Sequence, residues 1–172
     1  GVKNVFCGSF QEFDFGKYNI DICGLFDVIE HIEDDISFLN ELYSKIKRNT
    51  HIIISVPSLK LLWSDVDIYT GHYRRYNKKD TIRILNNTKF QFVDSGYYFS
   101  TYVLPLLVLR VLPFRIGFKK NNEKIKQDEI KNHNQNNFVQ TIINKRNKQW
   151  GEKIAKGNYP YFGTSMFIVL KK

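Results

Sequence analysis

Residues 52–57 read IIISVP. An uninterrupted apolar run bounded by proline is what a strand buried on both faces of a sheet requires. It limits what lies around it, because such strands sit in sheets covered by helices. Upstream, Ile20 to Phe26 forms a second short apolar run, containing Asp21 and Gly24. Between the two runs, residues 33–48 carry Ile36, Leu39, Leu42, Tyr43 and Ile46 at helical spacing. Asp34 and Asp35 stand at the start of this stretch and Lys45, Lys47 and Arg48 at its end, the polarity that a helix dipole favours. Strand, helix and strand in this order read as a right-handed βαβ unit of a parallel sheet.

The same reading extends outward. Val2 to Cys7 predicts a further strand, closed by Gly8-Ser9. Residues 79–87 predict a short helix. KFQFVDSGYYF (89–99) and TSMFIVL (164–170) predict strands that pair antiparallel at the sheet edge. The fold class is therefore α/β: a Rossmann-like, mostly parallel sheet with an antiparallel edge strand. Residues 1–99 and 158–172 form this core, and residues 100–157 form a helical insertion that is not an independent domain.

Charge separates the insertion from the core. Residues 1–114 balance thirteen basic against thirteen acidic side chains, whereas 115–156 carry eleven against four. A partner for that segment is what the net charge of +9 asks for. The insertion opens with STYVLPLLVLRVLPFRIGF (100–118), apolar but broken by Pro105, Arg110 and Pro113. A spanning helix needs ~20 mostly apolar residues, so this run fits an interfacial element on an anionic membrane better than a span. The alternative is a substrate cap packed on the sheet. KKNNEKIKQDEIKNHNQNN (119–137) is polar and low in complexity, and reads as a mobile loop. A helix follows, with Val139, Ile142, Ile143, Arg146, Trp150 and Ile154 on one face. Nucleic acid is the lesser anionic candidate, because the charge sits beside an apolar hairpin and not on an aromatic-lined sheet.

Cys7 and Cys23 lie within apolar, strand-like runs. They read as reduced core thiols of a cytoplasmic protein, for which the basic insertion suggests a peripheral place on the inner membrane face, and not as a disulfide framework. Neither has metal-ligand spacing, and no metal centre is expected.

The chemistry concentrates in GLFDVIEHIEDD (24–35), where an apolar run ends in acids around one histidine. In parallel α/β sheets, ligands bind beyond the carboxyl ends of strands. Asp27, Glu30 and His31 could face such a cleft, or could simply cap a helix and solvate a loop. Spacing alone leaves both open. There is no Ser/His/Asp or Cys/His constellation and no glycine-rich phosphate loop.

YNIDICGLFDVIEHIEDDISFLNELYSKIK resembles the central strand-and-helix region of class I S-adenosylmethionine-dependent methyltransferases, through Asp21, Asp27, Val28, Glu30, His31 and Ile32. LLWSDVDIYTGHYRRYNKKD (61–80) is similar to a W-S-x-x-D-x-x-x-G-H-Y-R-R-Y arrangement of a bacterial, type-11/type-12-like subgroup. Here it is Trp63, Ser64, Asp67, Gly71, His72, Tyr73, Arg74, Arg75 and Tyr76. YFGTSMFIVLKK resembles the subgroup's closing P-F-G-x-S strand. Two departures accompany the likeness. The family's opening strand, its D-x-G-x-G-x-G turn and the acid after its second strand have no counterpart, so the sequence reads as N-terminally truncated. Gly8-Ser9 also stands where the family has Gly-Asp. Both imply weak unaided cofactor binding.

The resemblance implies methyl transfer from S-adenosylmethionine, an in-line displacement with a neutral leaving group. The protein then mainly orients the acceptor and excludes water, and a base is needed only for an acceptor that loses a proton. His31 and His72 are the candidate catalytic imidazoles, with loop orientation or packing as the plainer alternative. Ser9, Phe10, Leu25, Phe26, Asp27 and His31 are the positions implied for the cofactor. Trp63, His72, Tyr73, Arg74 and Arg75 are candidates for an anionic acceptor, because paired guanidiniums among aromatics suit phosphate or carboxylate. The expected acceptor is a small or lipid-linked molecule, of cell-envelope saccharide type. The competing expectation is a non-catalytic remnant that keeps the binding surface. A sheet lacking its first strands would also expose an edge and invite self-association.

Overall fold

The structure, a computed structural model, describes residues 7–118, 123, 125–126 and 138–172. Among these, four strands form one sheet in the order β1-β2-β4-β3. They are β1 (Ile22–Phe26), β2 (His51–Pro57), β3 (Gln91–Tyr98) and β4 (Ser165–Lys171). β1 and β2 pair parallel, with Ile22 opposite His51 and Phe26 opposite Ser55. β4 runs against both its neighbours, β2 and β3, so three of the four strands share one direction. The expected strand at Val2–Cys7 lies outside the described residues except for Cys7, as does the polar stretch 119–137 except for 123, 125 and 126.

Helix α1 (Asp35–Lys45) crosses between β1 and β2. The carboxylate of Asp34 caps it, accepting from the Ser37 amide at 2.9 Å, an interaction worth ~1 kcal/mol. At the other end the Lys172 ammonium donates to the carbonyls of Tyr43 and Ile46 at 2.6 and 2.8 Å. It places positive charge where the helix dipole is negative. Helix α3 (Lys78–Asn87) starts on an Asn77 cap, which accepts from the Lys79 amide at 2.8 Å. Leu39 and Leu42 of α1 and Ile84 of α3 bury themselves against Leu25, Ile52, Ile54, Met166, Ile168 and Leu170. Each fully buried aliphatic side chain of this kind contributes about 1.5–3 kcal/mol.

The expectation that β2 is buried on both faces is corrected. Its burial alternates, with Ile52, Ile54 and Val56 fully buried and Ile53 and Ser55 only half-buried. Both α1 and α3 pack on the same face, and on the opposite face Ile53 and Ser55 line a cleft together with Trp150 and Ile154 of the helix Phe138–Ile154. A second correction concerns Cys7. It is exposed, not a core thiol, while Cys23 is half-buried, and both are free.

Gly163 marks a close crossing of backbones. A β-carbon there would lie 1.9 Å from the Tyr98 carbonyl oxygen, so only glycine fits. The Ser58 hydroxyl fixes the same turn, donating to the Gly163 carbonyl at 2.6 Å.

Beyond β3, the chain turns helical over residues 103–115. Leu107–Val111 form a π-helical turn between two short α-helical pieces. Pro113 has no amide hydrogen to give to the preceding turn, and a π-turn accommodates the missing bond. Among the described residues, no helix is long and apolar enough to cross a membrane.

Candidate functional site

The acidic turn leaves the carboxyl end of β1. Asp27 there has a left-handed φ of 52° and its amide donates to the Ser55 carbonyl at 3.0 Å, prolonging the β1–β2 ladder by one bond. Non-glycine residues rarely hold this conformation outside sites that constrain them, although Asp tolerates it better than most. A 3₁₀ turn, Ile29–His31, follows. It buries Glu30 completely and leaves His31 exposed.

The G-H-Y-R-R-Y segment straps back across this turn. The Tyr73 amide donates to the Glu30 carbonyl at 2.8 Å. The rings of His31 and His72 meet edge to face, 4.7 Å between centroids. The Arg74 guanidinium donates to the Ile32 carbonyl at 3.1 Å and also to the Glu33 carbonyl, and stands 3.1 Å from Asp35 Oδ2. The Tyr76 phenol donates to the Ile29 carbonyl at 3.2 Å and to Asp35 Oδ2 at 2.8 Å. Two sequence motifs about forty residues apart thus form one structure at the end of the parallel pair.

Asp67 organises the second half of the site. It is buried in the first turn of the short helix α2 (Asp65–Tyr69) and accepts from the Ser64 amide at 2.9 Å. Arg75 donates to it through Nε at 2.7 Å and Nη2 at 3.2 Å, and to the Ser58 carbonyl through Nη1. His72 Nδ1 lies 3.1 Å from Asp67 Oδ1. Burial alone would raise the Asp67 carboxyl pKa, but His72, Arg75 and the Ser64 amide hold it below the usual carboxylate range. Asp67 is therefore an anion and an acceptor, so His72 Nδ1 carries a proton, and in the neutral ring Nε2 is the nitrogen with the lone pair. Asp35 behaves likewise: burial opposes its charge, yet Arg83, Tyr76 and Arg74 together keep its pKa low.

Glu30 is the exception. Neither of its buried carboxylate oxygens has a hydrogen-bond partner. Burial pushes its pKa up to about 7; the negative charge of Asp27 adds to the rise, and the Glu30 backbone amide and His72 oppose it.

The other candidates separate into groups. Leu25 is buried core, while Phe26 is exposed, and its ring folds back over Gly24. Phe26, Ile53, Ser55, Tyr98, Trp150 and Ile154 line an apolar cleft of about 400 Å³ on the half-open face of the sheet. Ser55 Oγ and Tyr98 Oη share a hydrogen bond of 2.5 Å there. Ser9 is exposed and precedes a 3₁₀ turn, and Phe10 packs against Phe15 and Phe38. Trp63 is half-buried after the turn Lys60–Leu62, and Tyr73 is exposed beside Arg74. Both arginines are already engaged within the chain, Arg75 wholly so and buried, Arg74 half-buried. Sequence reasoning placed Glu30 only as a residue that could face the cleft, and gave Asp35 and Asp67 no role in the site. The signal for two of them lay in the motifs themselves, in the acid before His31 and in the W-S-x-x-D spacing.

Among the described residues, Glu30, His31 and His72 offer ligand atoms that all lie within 4.8 Å of one another. The expectation of no metal centre rests on cysteine spacing, which does not bear on a grouping of one carboxylate and two imidazoles.

No protein-family model matches the chain, and no curated protein matches it. Solved structures do. One is a SAM-dependent methyltransferase from Archaeoglobus fulgidus, at 19% identity and TM-score 0.46, with 88% of this chain covering 59% of that one. Another is phosphoethanolamine N-methyltransferase 2 from Haemonchus contortus with phosphomonomethylethanolamine and S-adenosylhomocysteine, at 18% identity and TM-score 0.45. It is matched over 94% of this chain and 35% of its own length. The same enzyme with S-adenosyl-L-methionine gives 18% identity and TM-score 0.42, over 88% and 33%. The chain therefore spans between a third and three fifths of these proteins.

Proposed function

We propose that this chain is the acceptor-facing part of an S-adenosylmethionine-dependent methyltransferase, acting on a lipid-linked or cell-envelope saccharide-type acceptor. One observation carries the reading. The two motifs that resemble this family, D-V-x-E-H-I and G-H-Y-R-R-Y, meet at the carboxyl end of parallel strands, joined by the Tyr73–Glu30 bond and the His31–His72 contact.

In this reading the exposed ring of Phe26 and the adjoining apolar cleft take a flat heteroaromatic such as adenine. The histidine pair faces the acceptor. His31 is exposed at the rim, and His72 has its Nε2 lone pair available to take a proton from a hydroxyl acceptor. Tyr73 and Trp63 contact the acceptor, while Arg74 and Arg75 brace the loop from within.

The membrane part of the reading is supported by residues 103–118. Leu104, Val108, Leu112 and Ile116, spaced by four, are 67%, 47%, 46% and 72% exposed, with Leu109 and Phe118 each at 72%. An apolar helical stripe beside a basic segment suits an anionic leaflet.

A second reading is a binding module without catalysis. Calorimetry with S-adenosylhomocysteine separates the two. This chain alone is expected to bind weakly or undetectably. Where the upstream DNA encodes a D-x-G-x-G-x-G frame, the chain lengthened by it is expected to bind and to transfer a labelled methyl group to an envelope lipid extract. A lengthened chain that binds no cofactor would leave only the module.

A further inference from the structure

We propose that Glu30, His31 and His72 form a site for a borderline divalent transition-metal ion, of which Zn²⁺ is the type. Three observations support this independently of any cofactor reading.

The first is donor type and placement. Two imidazoles and one carboxylate have ligand atoms within 4.8 Å of one another. Tetrahedral Zn²⁺ with bonds of ~2.0–2.2 Å needs donors roughly 3.3 Å apart, a closure that small side-chain rotations supply. Two nitrogens and one oxygen suit Zn²⁺, Co²⁺ or Fe²⁺ and disfavour Mg²⁺, which wants an oxygen shell.

The second is the state of Glu30. A fully buried carboxylate with both oxygens unpartnered is a costly arrangement. The guanidiniums of the loop are engaged elsewhere, Arg75 with Asp67 and Ser58, and Arg74 with Ile32, Glu33 and Asp35. Asp27 adds further negative potential and His72 opposes it, but neither histidine donates to a Glu30 oxygen. A cation bound between Glu30 and the histidines would supply the missing partner.

The third is the second layer. His72 Nδ1 donates to Asp67, which Arg75 and the Ser64 amide hold in place. A carboxylate behind an imidazole fixes the tautomer and aims Nε2 outward, the arrangement that metal-ligating histidines commonly show. Three protein ligands leave a coordination position open on the exposed His31 side, for water or an oxygen of a bound molecule.

The test uses the full chain, stripped with chelator, and metal alone. Co²⁺ titration followed by visible absorption is expected to show one equivalent with a four- or five-coordinate spectrum, displaced by Zn²⁺ and not by Mg²⁺. Loss of an outer-layer partner alone typically costs ~10–100-fold in metal affinity, so His31→Ala, His72→Ala and the near-isosteric Glu30→Gln should each weaken binding by at least about tenfold. His51→Ala, at the start of β2, should leave it unchanged. X-ray absorption on the Zn²⁺-loaded natural chain gives a readout that depends on no variant folding, and two imidazoles with no sulfur are expected. Binding that survives all three substitutions, a sulfur ligand, or no stoichiometric Co²⁺ spectrum would each overturn the site. None of these readouts involves S-adenosylmethionine.

Discussion

The phenol of Tyr76 donates to Oδ2 of Asp35 at 2.8 Å, tying the end of one motif to the start of the helix that follows the other. Both groups are buried, and Arg83 completes the cluster with two bonds to the same carboxylate, one of 3.0 Å from Nη1. The connection between β1 and β2 is thus held closed by a residue far along the chain.

Tyr76→Phe removes one donor and keeps the ring. The Ile29 carbonyl and the Asp35 carboxylate both lose a partner, so urea denaturation should report a loss of about 1–3 kcal/mol. A change under about 0.5 kcal/mol would show that water replaces the phenol at no cost.

The low pKa of Asp35 gives stability a pH dependence of known sign. The folded value lies below the unfolded value of 3.8, so its contribution is complete above that pH and is lost as pH falls through the folded value. Asp67 titrates in the same direction, so the comparison with Asp35→Asn isolates Asp35. Between pH 5 and 2 the urea midpoint of the natural chain should fall more steeply than that of the variant. Parallel curves would contradict the assignment.

Arg75 and Arg74 should separate on mutation. Arg75→Ala leaves the buried Asp67 charge without its two-pronged partner, a loss of about 3–5 kcal/mol. Arg74 is 26% exposed and shares Asp35 with Arg83, so Arg74→Ala should cost about 1–2 kcal/mol. Equal losses in thermal denaturation would refute the view that Arg75 is the deeper brace.

The exposed stripe on residues 103–118 predicts sedimentation with anionic liposomes, fading as salt rises. Leu109→Glu together with Ile116→Glu should abolish it without lowering thermal stability, since both side chains are 72% exposed. Protein that stays in the supernatant at low salt would remove the membrane reading.

Local periodicity made β1, α1 and β2 readable, because each of these elements is defined by its own residues. Leu39, Leu42 and Ile46 show their face within a dozen positions, and all three are buried. The pairing of β3 with β4 followed from their β-rich composition. Less legible was anything fixed by partners distant in sequence. IIISVP shows that a strand is apolar, not how many helices arrive to cover it. Arg75 looks like a ligand-binding cation until Asp67, eight residues earlier, is placed beneath it. Phe26 looks like core until the cleft beside it is seen. Glu30 gave no sign in the sequence that its carboxylate would be buried with neither oxygen hydrogen-bonded, since the loop that bonds to its carbonyl comes about forty residues later.

Asp67 serves three masters at once: the first turn of α2, the guanidinium of Arg75 and the imidazole of His72. Local chain conformation and ring protonation are therefore mechanically linked. A substitution that unlatched the start of α2, though remote from any bound molecule, would rotate His72 and exchange its tautomers.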